Sequence, residues 1–588
     1  MNEKITLKTI FALIMERKSA LLYGQLITLF AILVSIPIPL LLPILVDEVL
    51  LEKPSTIINA IDIFTGGTTA FYYILIVTLG VIFLRVLFYL LGVVLTKIFT
   101  AIAKYVTFEI RKKLLHHLKI VSMNEYETLG SGTITANLVT DVNTLDSFIL
   151  NASAKLFASV LTLLGVGFVL LAIEPILGVM ILVVQPLMMF LSRKMSRKVG
   201  GLKSAENAAV AAFQEDVGET LELFGQIKAS NQEKFFFSRS EDFAKKVQTT
   251  SNEFGYKNVA YEKLSSTLFL VVFELIRASG LLLVAYSDLS IGMMFAMFGY
   301  IWFIMTPVQD LISLQYSLSS AKAALERINK VLTLQTEKSG KKELTANAIN
   351  IALKNVSFAY NQEKEILKDI SLEINSGEKV ALIGASGSGK TTLAQLLSGF
   401  YEKSSGEILY NDISIEELDK SSLRSKIFLV LQMPILFNAS LRFNITMGDE
   451  SISDADIFSA LNTAQLESML TNMPKGLDTL VGRHGIRLSG GQRQRLSIAR
   501  MIIANPSVVI FDESTSALDV HTELKLQIAL EPILKDKTII TIAHRLSTVK
   551  NAQKIYVLDE GRIVQSGSHE ELEDEEGHYS EFVKRQLV

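Results

Sequence analysis

Apolar residues are distributed along this chain in two regimes. Up to about Pro307 they come in long runs, each close to or above the roughly 20 residues that carry a helix across the hydrocarbon of a bilayer. Six runs meet this description, approximately Leu21 to Val46, Phe71 to Val94, Ala152 to Ile173, Ile176 to Leu191, Leu264 to Tyr286 and Ile291 to Pro307. Only Glu174 and Pro175 separate the third from the fourth, which predicts a tight hairpin. The segments joining the second run to the third and the fourth to the fifth are long, polar and helical in pattern. They predict stalks that continue the spans rather than turns. Past a polar stretch from about Thr336 to Ala348 the pattern changes to short β-branched runs alternating with helical segments, as in an α/β domain.

The fold expected is therefore an all-α six-helix transmembrane domain with long cytoplasmic helical stalks, followed by an α/β domain. The boundaries expected are 1–19 for an amino-terminal cytoplasmic or interfacial segment, 20–330 for the transmembrane domain, 331–348 for a linker and 349–588 for the α/β domain. Basic residues set the orientation. Lys104, Arg111, Lys112, Lys113 and Lys119 lie in the second loop, and Arg193, Lys194, Arg197, Lys198 and Lys203 open the fourth. Both loops, and with them both chain ends and the α/β domain, are expected on the cytoplasmic side. Polar residues run to about Ser19, so no cleavable signal peptide is expected.

Composition agrees with a membrane protein and narrows the chemistry. Of 588 residues 49% are apolar, and the mean hydropathy is +0.36. The 57 basic residues nearly balance the 60 acidic ones, and the net charge of -3 gives no global reason to bind nucleic acid. The absence of cysteine excludes a disulfide scaffold, a thiolate metal site and a cysteine nucleophile. Charges inside the spans stand out because they are costly in hydrocarbon: Arg85 in the second, Glu274 and Arg277 in the fifth. Spaced i,i+3, Glu274 and Arg277 are expected to pair on one helix face. The sharper alternative puts Arg85 or this pair on a hydrated substrate path. Pro37, Pro39 and Pro43 predict a kinked or unwound outer half of the first span.

The densest chemistry lies in the soluble half. Gly384-Ala385-Ser386-Gly387-Ser388-Gly389-Lys390-Thr391 follows the apolar run Val380 to Ile383 and precedes a helical segment opening with Thr392. This is GxxxxGK[ST] in its strand, loop and helix context, and it makes 349–588 an expected nucleotide-binding domain of the α/β P-loop ATPase kind. Backbone N–H groups of such a loop curl round phosphates, Lys390 neutralises their charge, and Thr391 offers a hydroxyl to Mg²⁺. A second strand, Val508 to Phe511, ends in Asp512 and Glu513. That acidic pair suits the Mg²⁺ shell at Asp512 and polarisation of an attacking water at Glu513.

Between these motifs lies Leu488-Ser489-Gly490-Gly491-Gln492, and on it the chain resembles the ATP-binding cassette superfamily, whose signature is LSGGQ. The resemblance covers essentially the whole soluble half, and the membrane half resembles the exporter branch. It implies ATP and Mg²⁺ as ligands. Tyr360 is then the aromatic that stacks on adenine, Gln432 the Q-loop residue near Mg²⁺ and the γ-phosphate, Ser516-Ala517-Leu518-Asp519 the D-loop and His544 the switch histidine. It also implies that Ser489, Gly490, Gly491 and Gln492 serve the nucleotide of a second cassette, so one cassette per chain means a dimer. Intact Glu513, His544 and LSGGQ favour a homodimer over pairing with a homologous half-transporter.

Three positions depart from the family pattern, the mildest being Ser514, which follows Glu513 where Ala or Pro is commoner. Arg483 stands where the loop Thr479 to Gly485 usually carries Glu, and Asn137 replaces an Arg in the outline from Gly132 to Asp141. The first stalk bend, Glu125 to Asp141, and the second, Gln214 to Glu222, are expected to dock on another domain. The function implied is ATP-driven export of an amphiphilic or lipidic substrate by alternating access, in a membrane of bacterial type. No segment before the spans is long enough for a leader peptidase, which disfavours leader-cleaving peptide export. An ATP-gated channel or regulatory membrane protein is the alternative class, and the six spans disfavour a soluble cassette ATPase.

Overall fold

The structure is a computed structural model that describes residues 4–587 except 53–57, 60–62, 64–68, 361–363, 483–485, 514–517 and 544. The expectations on His544, Ser514, Ser516, Ala517 and Arg483 fall outside the described residues. The chain divides into two compact units. One comprises Met1–His116 with Gly132–Thr333, the other His117–Ser131 with Leu334–Val588.

The first unit is built of helices, with no strand among its described residues. After α1 (Leu7–Glu16) and α2 (Lys18–Ser35) come four very long helices and one shorter: α3 (Ala70–Leu118), α4 (Val142–Ile173), α5 (Pro175–Glu222), α6 (Glu233–Tyr286) and α7 (Ile291–Leu332). At 1.5 Å per residue the 54 residues of α6 span about 80 Å, far beyond the roughly 30 Å of a hydrocarbon core. The spans thus continue as stalks. Among the described residues five helical stretches are long and apolar enough to cross a membrane, and the fourth apolar run forms the start of α5, where Pro175–Met188 is the shorter apolar piece. The last span was expected to end at Pro307, but α7 continues through it to Leu332. A proline costs little inside a span when neighbouring helices support the backbone.

Local sequence explains the breaks. Glu174 is extended (φ -152°, ψ 105°) and Pro175 occupies the first helical position of α5, where its missing N–H is no loss; together they turn the chain between α4 and α5. After α2 the three prolines break the helix into a 3₁₀ turn, Ile38–Leu40, and a π-helical stretch, Ile44–Leu50. This distortion presents the buried Asp47 carboxylate to the amino end of α7, where it accepts from Ser290 Oγ (2.5 Å) and Gly292 N (2.9 Å). A Cβ on Gly292 would lie 2.4 Å from that carboxylate, so only glycine permits the approach.

Packing is uneven within this unit. α5 lies along α6, and α4 along α7. The most apolar window of α7 is 56% buried and that of α3 only 6%, so α7 is the internal helix and α3 a peripheral one. Glu274 and Arg277 pair as expected, with half-exposed side chains, Glu274 lying across α6 from the buried Ile276. Arg85 is exposed.

The second unit contains two main sheets and a short two-stranded ribbon that pairs Ala439–Ser440 with Leu480–Val481. A four-stranded antiparallel sheet has the order β2-β1-β4-β5, formed by β1 (Ile351–Phe358), β2 (Leu367–Ile374), β4 (Ser405–Tyr410) and β5 (Ile413–Ser414). The six-stranded sheet comprises β3 (Lys379–Gly384), β6 (Ile427–Val430), β7 (Val508–Asp512), β8 (Thr538–Ile542), β9 (Lys554–Asp559) and β10 (Arg562–Gly567). Its order is β10-β9-β3-β8-β7-β6, and every pairing except β9 with β10 is parallel. The central strands are continuous apolar runs, as parallel strands covered on both faces must be. β3 and β7 flank β8, so their carboxyl ends open on a common edge where α/β sheets bind ligands.

Residues His117–Ser131 come from within the stretch expected to be transmembrane domain, yet they belong to this second unit. The short helix Met123–Leu129 is held there by Tyr401 Oη, which donates to Glu127 Oε2 at 2.8 Å. Backbone bonds add to this: Ser122 N donates to Gln335 O (3.0 Å) and Glu337 N to Ile120 O (2.8 Å). The second bend remains in the first unit, where Arg239 clasps Asp216 (2.6 Å) and Glu219 (3.0 Å).

Candidate nucleotide site

The loop after β3 is shaped by its glycines. Gly384 has φ +152°, and a Cβ there would sit 2.1 Å from Leu558 O on the neighbouring β9, so the strand can turn into the loop only without a side chain. The loop then runs through Ala385, Ser386, Gly387 and Ser388 to Gly389, the left-handed cap of the helix Lys390–Leu397. The first-turn N–H groups of that helix and its dipole face the loop, the arrangement that binds phosphate.

Lys390 is 6% exposed and folds back over this loop. Its Nζ donates to Gly384 O (3.0 Å) and Ala385 O (2.8 Å), with Ser388 Oγ at 3.5 Å. Burial lowers its pKa, against the opposing pull of Glu513 and Asp512. The ammonium is thus partly desolvated and held by neutral carbonyls, ready to exchange them for an anion.

The two motifs that sequence reasoning found separately meet here. Thr391 Oγ1 donates to Asp512 Oδ1 at 3.2 Å, and Gln432 Nε2 to Glu513 Oε2 at 2.6 Å. Asp512 is 2% exposed at the end of β7. Glu513, just beyond, takes φ +46°, a left-handed conformation that is costly for a non-glycine residue and turns the chain at this point. Among the described residues no group of three His, Asp or Glu side chains could hold a metal. One hydroxyl, one amide and one carboxylate suit a hard divalent cation whose remaining ligands are phosphate oxygens and water.

Tyr360 sits beside the loop helix. Its hydroxyl bonds Thr392 Oγ1 (3.0 Å) and Gln395 Oε1 (3.2 Å), and its ring meets Tyr401 and Phe358 edge-on at 5.1 and 4.9 Å. Tyr401 therefore links this aromatic group to Glu127, and burial first, then the hydrogen bond to Glu127, raises its hydroxyl pKa.

Ser489 lies elsewhere. It caps the helix Gly490–Ala504 in a capping box, its hydroxyl accepting from Gln492 N (3.2 Å) while Gln492 Oε1 accepts from Ser489 N (2.8 Å). That helix belongs to a core built from Leu441, Ile457, Leu461, Leu488, Leu496 and Ala499, separate from the core under the phosphate loop. The exposed Ser489 and the following Gly490 and Gly491 amides form an outward-facing helix amino terminus. Asp519 caps the helix Val520–Leu534 by accepting from Thr522 N (2.9 Å), and that bond lowers its pKa.

Two contacts were not legible from motifs. Gln494 Nε2 donates to Gln432 O (3.2 Å), tying the signature helix to the residue that holds Glu513. The Glu127–Tyr401 bond joins residues far apart in the chain, and neither has a neighbourhood that marks it.

Comparison with known proteins supports the same picture across the chain. Residues 367–516 match the family described as ABC transporter, and residues 21–308 match the ABC transporter transmembrane region. The chain is 34% identical to the uncharacterized ABC transporter ATP-binding protein YwjA of Bacillus subtilis, over 82% of this chain and 84% of that protein. It is 32% identical to the ATP-dependent lipid A-core flippase of Legionella pneumophila, over 83% of each chain. A putative multidrug export ATP-binding/permease protein of Bacillus subtilis, YgaD, is 31% identical over 81% of this chain and 83% of that protein. In fold the chain is similar to a bacterial Atm1-family ABC exporter with ATP bound, with a TM-score of 0.78 at 23% identity over 97% of this chain and 98% of that one. With its apolar helical unit and its phosphate loop joined in one polypeptide, the chain belongs to the ABC transporter family, as an integral-membrane, exporter-type half-transporter that hydrolyses ATP to drive transport.

Proposed function

We propose that the chain works as a homodimer that exports an amphiphilic or lipidic substrate, or moves it between leaflets, by alternating access. Two ATP molecules are held between two cassettes in this reading. The loop from Gly384 to Thr392 cradles the phosphates with Lys390, Tyr360 stacks on adenine, and Ser489 of the partner subunit closes the site. The outward-facing capped terminus at Ser489, in a core apart from the phosphate loop, supports a site completed in trans. Thr391, Gln432 and Asp512 would hold Mg²⁺, which when bound neutralises charge on the phosphates. Glu513 orients and deprotonates the attacking water, and the switch residue His544 contacts the γ-phosphate.

The observation that carries this reading is the convergence of Thr391 with Asp512 and of Gln432 with Glu513 at the carboxyl ends of β3 and β7. Closure of the cassettes shifts the stalks and opens the cavity outward; hydrolysis resets it. The membrane is the bacterial inner membrane, with the cassette on the cytoplasmic side.

The names of the flippase and the putative multidrug exporter support an amphiphilic cargo. We place its polar head at the Glu274–Arg277 pair, taking that pair rather than Arg85 as the group on a hydrated path. The pair lies about 14–18 Å from the end of α6 at Tyr286, near the middle of a bilayer, and both side chains are half-exposed. An ion pair there is costly against lipid tails and favourable in a wet cavity. The test is ATPase activity in reconstituted bilayers across lipids, lipid-linked sugars, peptides and cationic amphiphiles. Stimulation by amphiphiles is expected; stimulation by none of the panel removes the cargo assignment.

A further inference from the structure

The chain passes between its two units three times, after His116, after Ser131 and after Thr333. Next to each passage, inside the helical unit, a polar side chain reaches a segment belonging to another. Arg111, shortly before the first, donates through Nε to Leu138 O (3.4 Å) and through Nη2 to Asn143 Oδ1 (2.8 Å). Arg327, shortly before the last, forms a fork on Asp141, with Nε 3.1 Å from each carboxylate oxygen and Nη2 2.6 Å from Oδ1. Leu138 and Asp141 belong to the π-helical turn Asn137–Asp141, which follows the second passage.

We propose that Arg111, Asp141 and Arg327 form a collar that locks the three passages into one block, so that cassette closure reaches the spans as a single displacement. They are positioning residues for transport and touch neither nucleotide nor cargo. A bidentate guanidinium and carboxylate fix orientation as well as distance, which a flexible point charge would not. Asp141 is 5% exposed, so the two segments carrying it and Arg327 cannot slide past one another without leaving a buried carboxylate without this partner. The carbonyl that accepts from Arg111, Leu138 O, lies within that π-turn. The collar also accounts for Asn137: the guanidinium that the family outline carries at that position is supplied to the adjacent carbonyl from α3.

This inference rests on the alternating-access reading, and the experiment separates the two. The chain has no cysteine, so Asp288→Cys, in the exposed link before α7, gives one spin label per protomer. The distance between labels is measured in Glu513→Gln protein in lipid bilayers with and without ATP. The parent is expected to show an ATP-dependent shift. Arg327→Gln should retain ATP affinity within about twofold and lose more than about half of the shift, with Arg327→Lys, which keeps charge but not the fork, in between. An unchanged shift in Arg327→Gln overturns the collar. If that variant does not fold, Arg327→Lys and Arg111→Gln decide by the same criterion. No shift in the parent overturns the alternating-access reading, and the collar with it.

Discussion

The two units solve the burial of apolar surface in opposite ways. In the cassette unit Val508, Val509 and Ile510 are fully buried between layers of the same chain, whereas on α3 Phe83 and Tyr89 are 65% and 68% exposed. The first pattern is that of a core closed to water within one polypeptide. The second belongs to helices whose remaining contacts are lipid and other protein. The consequence concerns polar groups. In the cassette they converge on one edge of a sheet, held by hydrogen bonds, while the charged groups described in the spans include the buried latch Asp47 and the half-exposed pair Glu274 and Arg277.

The strongest way to test this contrast is to disable the cassette chemistry alone. Glu513→Gln should bind ATP normally and lose turnover by about 10²–10⁴-fold, the usual worth of a general base, as measured by phosphate release alongside nucleotide binding. Undiminished turnover would remove Glu513 from its assigned role. Gly384→Ala should be next in size. The added Cβ meets Leu558 O, so a loss of about 1–3 kcal/mol in cassette stability is expected together with weaker ATP binding, read by thermal unfolding with and without nucleotide.

In the membrane unit, Glu274→Gln should leave basal ATPase unchanged and weaken apparent cargo affinity by about tenfold, or 1.4 kcal/mol, as expected for one charge-assisted contact. Equal loss of basal activity would make the pair structural. Tyr401→Phe should have the smallest effect. It removes the hydroxyl bonded to Glu127, and about 1 kcal/mol of stability should go with it, visible as a small drop in melting temperature with ATP affinity retained.

Much of the molecule was readable before its structure. Spans follow from uninterrupted apolar runs, and the phosphate loop and the Asp512-Glu513 pair from short motifs whose chemistry demands those residue types. The helix passing through Pro307 was less legible, because the cost of a proline depends on which neighbours support the backbone. The placement of Met123–Leu129 with the cassette was legible only as a bend, because the bond that holds it comes from Tyr401.

Sequence alone determined the class of this protein: six apolar runs, one nucleotide cassette and the residues that handle phosphate, since hydropathy and backbone-shaping glycines act locally along the chain. Tertiary structure decided which of those residues meet. Thr391 with Asp512, Gln432 with Glu513, and Asp141 with Arg327 are pairings of groups remote in sequence. Their interactions are short-ranged, so nothing but the folded path of the backbone can select them.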